Sequence, residues 1–134
     1  MGDRGNIGIR QPNEDAIIYL YTHWEGSYIC STLAIGLAKC REAGRLDDPS
    51  YATRIIFDTL TTRYADGYAH AGLDGRTTGY GIAVNYPPDN QHEIPYVNWQ
   101  THGTEPHIEY GCGRFSVEAF ITAYTPTPLE EAKP

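Results

Sequence analysis

Hydrophobic and polar positions alternate along two short stretches near the N-terminus. In "NIGIR" Ile7 and Ile9 share a side among small or polar neighbours, and from Asp15 to Trp24 the period of two continues through "AIIYLYTH". Pro12 and Asn13 between them supply a turn, so the pattern predicts strand, turn, strand. From Ser27, a candidate N-cap, the period changes. Ile29, Leu33, Leu37 and Cys40 recur at helical spacing, and Gly44 stands where a C-terminal cap residue belongs. A second helix is predicted over "DDPSYATRIIFDTLTTRY". Asp48 can cap it, Pro49 fits the first turn without losing a needed N–H, and Ala52, Ile55, Ile56, Thr59 and Leu60 form one stripe.

Residues 64–78 carry the turn dipeptides Asp66-Gly67 and Asp74-Gly75 and read as a loop. A strand follows to Tyr86, then a turn at Pro87–Asn90 and a returning strand from Ile94 to Gln100, which together predict a hairpin with a long connection. "HIEYG" predicts a short strand. "RFSVEAFITAY" predicts a helix in preference to a further strand, because Ser116 can cap it and Phe115, Val117, Phe120 and Ile121 fit a helical stripe. The proline-rich, charged residues 125–134 have no reason to fold. The expected architecture is one α+β domain over residues 1–124 with a disordered tail. It is an antiparallel sheet of four to five strands, with two consecutive helices packed on one face and a short C-terminal helix.

Parity along the second strand separates Ile17, Tyr19, Tyr21 and His23 from Ile18, Leu20, Thr22 and Trp24. The second set suits the side under the helices, with Leu20 and Trp24 as core. In the later strand Val97 and Trp99 oppose Tyr96, Asn98 and Gln100. A consistent sheet therefore collects Tyr19, Tyr21, His23, Tyr96 and Asn98 on the face the helices leave open. Such a face can stack an aromatic ligand and hydrogen-bond its edges. The same tyrosines would also stabilise an exposed sheet through cross-strand pairs, or bury themselves against a second copy of the chain.

Size and charge narrow the choice. The 134 residues bound one core, and 40% hydrophobic with 20% charged residues is ordinary for a globular chain, but 11 tyrosines against 3 phenylalanines is not. Ten basic against 17 acidic residues give a net charge of -7 with no basic run, which argues against an extended nucleic-acid groove while leaving room for one small anion. No apolar stretch reaches membrane-spanning length and "MGDRGNIG" lacks a signal-peptide pattern, so the expectation is a cytoplasmic protein without a membrane partner. Cys30 and Cys40 lie ten residues apart on the first helix, about 15 Å at helical rise, too far to bridge.

Among candidate chemistries, Arg4 and Asn6 stand among Gly2, Gly5 and Gly8, where the backbone can approach a ligand and the guanidinium can grip a carboxylate or phosphate. "GLDGRTTGYG" adds Thr77, Thr78 and Tyr80, without the lysine and following helix of a P-loop. The histidines His23, His70, His92, His102 and His107 have no metal-site spacing, so neither a metal nor a cofactor is expected. Cys30, at the start of the first helix, is a candidate low-pKa thiol if His23 and an acid such as Asp3 or Glu25 lie near it.

"GDRGNIGI", "IYLYTHWEG", "DDPSYATRIIFDTL" and "TTGYGIAV" together resemble a family of small uncharacterised bacterial and phage proteins with an N-terminal GDRxNI segment and an IYLYTHWxG strand. The resemblance spans residues 2 to 85, and Glu25 departs from the glycine that family often has after the tryptophan. It implies an architecture without a reaction. The habit of phage proteins of this size adds an expected role in anti-defence, sequestering a nucleotide-derived immune signal in the host cytoplasm. The resulting expectation is a non-enzymatic, homo-oligomeric binder of a small anionic or nucleotide-like ligand, held by Arg4, Asn6, Tyr21, His23, Trp24, Thr77, Thr78 and Tyr80. The alternatives are a small hydrolase or nuclease using His23 with an acidic partner, and a protein-interaction or structural module.

Overall fold

A computed structural model describes residues 2–11, 15–62, 79–99 and 105–126. The turn at Pro12 and Asn13, the loop that holds Thr77 and Thr78, Gln100 and the tail from residue 127 lie outside them. The described chain forms strands β1 (Gly5–Arg10), β2 (Ile17–Thr22), β3 (Tyr80–Val84), β4 (Tyr96–Asn98), β5 (His107–Tyr110) and β6 (Gly113–Ser116). Its helices are α1 (Ile29–Glu42), α2 (Pro49–Thr62) and α3 (Val117–Tyr124). The class is α+β, and the sheet has six strands in the order β3-β2-β1-β4-β5-β6.

Local signals explain the helix ends. A 3-10 turn, Gly26–Tyr28, precedes α1, so Tyr28 and not Ser27 occupies its N-cap position. At its other end Arg45 N–H reaches Cys40 O at 2.9 Å and Gly44 N–H reaches Arg41 O at 3.1 Å, the paired bonds of a glycine-terminated helix, with Gly44 at φ +69°. Asp48 caps α2 as its sequence predicts, its Oδ1 accepting from Tyr51 N–H at 3.3 Å. Ser116 caps α3, accepting from Ala119 N–H at 3.0 Å.

The helices cover one face. Ile7 pairs with Leu20, and Ile9 pairs with Ile18 on one side and Val97 on the other, which in turn pairs with Ile108. Ile7, Ile9, Leu20, Val97 and Ile108 are fully buried with Leu33, Leu37, Ile56, Leu60 and Phe120 from the helices. Each such side chain contributes about 1.5–3 kcal/mol relative to an exposed one. This is the core that holds β1 at the centre of the sheet.

Two expectations are corrected. The sheet is mixed, because β4 runs parallel to β1, pinned by Gly8 N–H to Pro95 O at 2.9 Å and Trp99 N–H to Arg10 O at 3.3 Å. The expected hairpin of residues 80–100 does not form: β3 lies at the edge beside β2, and β4 lies beyond β1. The connection between them must therefore return along the sheet, and its bonds trace the path. Asn85 exchanges hydrogen bonds with Ile17, Asn6 Nδ2 donates to Asp89 O and Asn90 Oδ1 at 3.1 Å each, and Gln91 N–H reaches Arg4 O at 2.9 Å. Asn6 alternates with Ile7 and so points away from the helices, which places residues 89–91 across the helix-free face. The sixth strand arises where Arg114 and Phe115 pair with Glu109 and Ile108 before α3 begins.

Candidate functional site

The N-terminal segment and the bend after β2 are laid against each other at one end of β1. Asp3 N–H donates to His23 O at 2.8 Å and Gly26 N–H to Asp3 O at 2.6 Å. A Cβ on Gly26 would stand 2.7 Å from backbone atoms of Asp3 and Arg4, so only glycine allows this approach. The Asp3 carboxylate accepts from Ser27 N–H at 3.0 Å and meets His92 Nε2 at 2.5 Å. Burial pushes this carboxyl up, but the Ser27 hydrogen bonds and the hydrogen bond and charge of His92 outweigh it and hold Asp3 below its ordinary value.

Above this clasp Arg4, Tyr21 and His23 converge. Arg4 Nε lies 3.3 Å and Tyr21 OH 2.9 Å from His23 Nδ1, and Arg4 Nε lies 3.7 Å from Asp89 Oδ2. Because Nε–H can only donate, Nδ1 presents its lone pair to Arg4 and the ring proton of neutral His23 belongs on Nε2. Burial, with the Asp89 charge, raises the Tyr21 phenol above its usual value, and Arg4 partly offsets it. The Trp24 ring stands edge-on to His23 with centroids 4.4 Å apart. The arrangement offers ring faces and edges beside a guanidinium, which suits a ligand that joins an aromatic group to a negative charge.

Arg4, Asn6, Tyr21, His23 and Trp24, expected from the sequence to serve one site, do gather at this end. Asn6 is a support: it is 1% exposed, and its amide nitrogen is used to hold residues 89 and 90. The expectation that Trp24 lies in the core is corrected, since β2 ends at Thr22 and the half-buried indole lies outside the core cluster. Tyr80 does not join the others. It pairs with Thr22, projects to the helix side, and donates to both carboxylate oxygens of Glu25 at 2.9 Å. Thr77 and Thr78 lie outside the described residues.

The open face itself is partly as the parity of the strands predicts. Tyr19, Tyr21, Tyr96 and Asn98 share it, but Tyr19 is 4% exposed, with its hydroxyl 3.2 Å from that of Tyr96. Burial and the Tyr96 hydrogen bond push the Tyr19 phenol up to about 12. Cys30 is not a primed nucleophile: burial pushes its thiol up to about 11, against the effect of the helix terminus. Three features escape the sequence reading. Glu25 is 2% exposed and bonded to Tyr80 and Thr22, Asp3 is paired with His92, and Arg10 shares the open face with Asn98 and His107. For Arg10 a signal existed, since by parity it opposes Ile9; the other two depend on contacts that no local pattern encodes.

Among the described residues no group of three or more His, Cys, Asp or Glu side chains is placed to hold a metal ion, and no helix is long and apolar enough to cross a membrane. No protein-family model, curated protein or solved structure matches the chain.

Proposed function

We propose that the protein is a non-enzymatic binder of a small anionic, nucleotide-like ligand, held at the corner where Arg4, Tyr21, His23 and Trp24 meet. The convergence of the Arg4 guanidinium and the Tyr21 hydroxyl on His23 Nδ1, with Trp24 edge-on beside it, carries this reading. Rings would pack on the ligand's aromatic part, and Arg4 would meet its charge in place of its long 3.7 Å pairing with Asp89. A hydrolytic role for His23 has less support, because the carboxylates of the two acids expected as its partners are engaged elsewhere, Asp3 with His92 and Ser27, and Glu25 with Tyr80 and Thr22. The motifs of residues 2 to 85 that resemble small phage and bacterial proteins extend the proposal to sequestration of a nucleotide-derived signal in the host cytoplasm, and the tyrosine-rich open face extends it to a homo-oligomer.

Mass spectrometry of small molecules released from the purified protein, with its mass in solution, tests the reading. The expected result is a phosphate-bearing compound recovered intact, and a rise in melting temperature with adenosine 5′-monophosphate as probe that Arg4→Ala and His23→Ala each abolish. Recovery of a cleaved product would favour the hydrolase. A thermal shift unchanged in both variants would place the ligand elsewhere.

A further inference from the structure

The opposite end of β1 carries a second polar constellation. Arg10 pairs with Asn98 across the parallel β1–β4 register, and Asn98 pairs with His107 across the antiparallel β4–β5 register. The three side chains therefore stand in one row on the helix-free face, with neighbours about 5 Å apart. Each has a buried polar atom without a hydrogen-bond partner: Arg10 Nε, Asn98 Nδ2 and His107 Nδ1. Leaving such a group unmatched is costly, so three in adjacent register positions mark a place built to be completed by something else.

The chemistry of the row defines what completes it. Arg10 Nε can only donate, and it carries a charge held in place by the Tyr96 ring, 4.6 Å below the guanidinium carbon. His107 Nε2 lies 3.4 Å from Glu109 Oε2. The carboxylate can only accept, so the imidazole donates there and neutral His107 leaves its Nδ1 lone pair to receive a proton. Asn98 makes no side-chain bond within the protein, so its amide can turn to present a donor or an acceptor. In the adjacent row Glu109 lies opposite Arg114, which offsets its charge near the row.

We propose that Arg10, Asn98 and His107 form a binding site for a small oxyanion that retains a proton, such as a hydrogen phosphate group or a hydroxycarboxylate. Arg10 and Asn98 donate to its oxygens, and His107 Nδ1 accepts from its O–H. The site is separate from the Arg4 corner, since Arg10 and Arg4 lie at opposite ends of β1.

Titrating the full-length protein with inorganic phosphate, malate and sulfate, followed by the NMR signals of the Arg10 Nε–H and the His107 ring, tests this. Phosphate or malate should shift both signals saturably, whereas sulfate, which has no proton at neutral pH, should bind more weakly. Arg10→Gln should weaken binding by about tenfold or more. Asn98→Asp, which keeps the shape and adds a repelling charge, should abolish it, and Arg4→Ala should leave it unchanged. Backbone spectra of the variants confirm that they fold. The assignment is overturned if no probe shifts these signals, if Arg10→Gln and Asn98→Asp bind as the parent does, or if sulfate and phosphate bind alike.

Discussion

Gly8 shows how much of the open face rests on single residues. A Cβ there would lie 2.4 Å from Tyr96 Cδ1, and that ring is fixed by the Tyr19 hydroxyl on one side and the Arg10 guanidinium on the other. Gly8→Ala should therefore cost about 1–3 kcal/mol, despite the better strand propensity of alanine, and lower the melting temperature by several degrees. The cost should shrink in a Tyr96→Ala background, which a double-mutant cycle by thermal denaturation would measure. Thiol chemistry gives a second check at this scale. Cys112 is exposed, Cys40 is buried, and burial holds the Cys30 and Cys40 thiols at about 11. With maleimide at pH 8, peptide mapping should find Cys112 modified first, the partly buried Cys30 more slowly and Cys40 only once the protein unfolds; labelling of Cys30 as fast as that of Cys112 would contradict its raised pKa.

Among the elements, the connection of residues 85–95 crosses the helix-free face, and the Asp3–His92 pair fastens it to the N-terminal segment. Because the folded-state pKa of Asp3 lies below its ordinary value, its contribution is present above that ordinary value and lost as pH falls through the lower one. Asp3→Asn should cost about 1 kcal/mol near neutral pH after allowance for the partly exposed pair. Chemical denaturation across acidic pH should show parent and variant converging. A constant gap would mean that the carboxylate charge is immaterial. Which elements were legible in the sequence follows the same division between local and distant causes. The caps at Asp48 and Ser116, the stripes of α1 and α2 and the parity of Tyr19 and Tyr21 are set within a few residues, and each reads correctly. Trp24 does not, because the alternation stops with β2 at Thr22 and Trp24 lies two residues on, in a bend that Thr22 Oγ1 stabilises by accepting from Trp24 N–H and Glu25 N–H. The partner of β4 is unreadable for a different reason: pairing with β1 is decided by contacts such as Gly8 to Pro95, far apart in the chain, while a turn at Pro87–Asn90 makes a local hairpin look equally good.

For the molecule as a whole, the sheet order makes stability uneven. β1 is flanked by β2 and β4, and its Ile7 and Ile9 are wholly buried under the helices. Among the described residues β3 has a strand on one side only, and Ile82 and Val84, on the same side as the core row, are 60% and 59% exposed. Opening of β1 thus requires separating the whole core, whereas β3 can fray alone. Hydrogen exchange should find the slowest amides in β1 and its neighbours β2 and β4, with those of Ile82 and Ala83 faster by about a hundredfold or more. The same measurement bears on self-association. Among the described residues no further strand pairs with β3, and an edge with no charged residue in "YGIAV" is the kind of surface that another strand can extend. If protection of β3 rises with protein concentration while that of β1 stays fixed, copies of the chain meet at this edge, whereas β3 amides as slow as those of β1 at every concentration would mean that the edge is covered within a single chain.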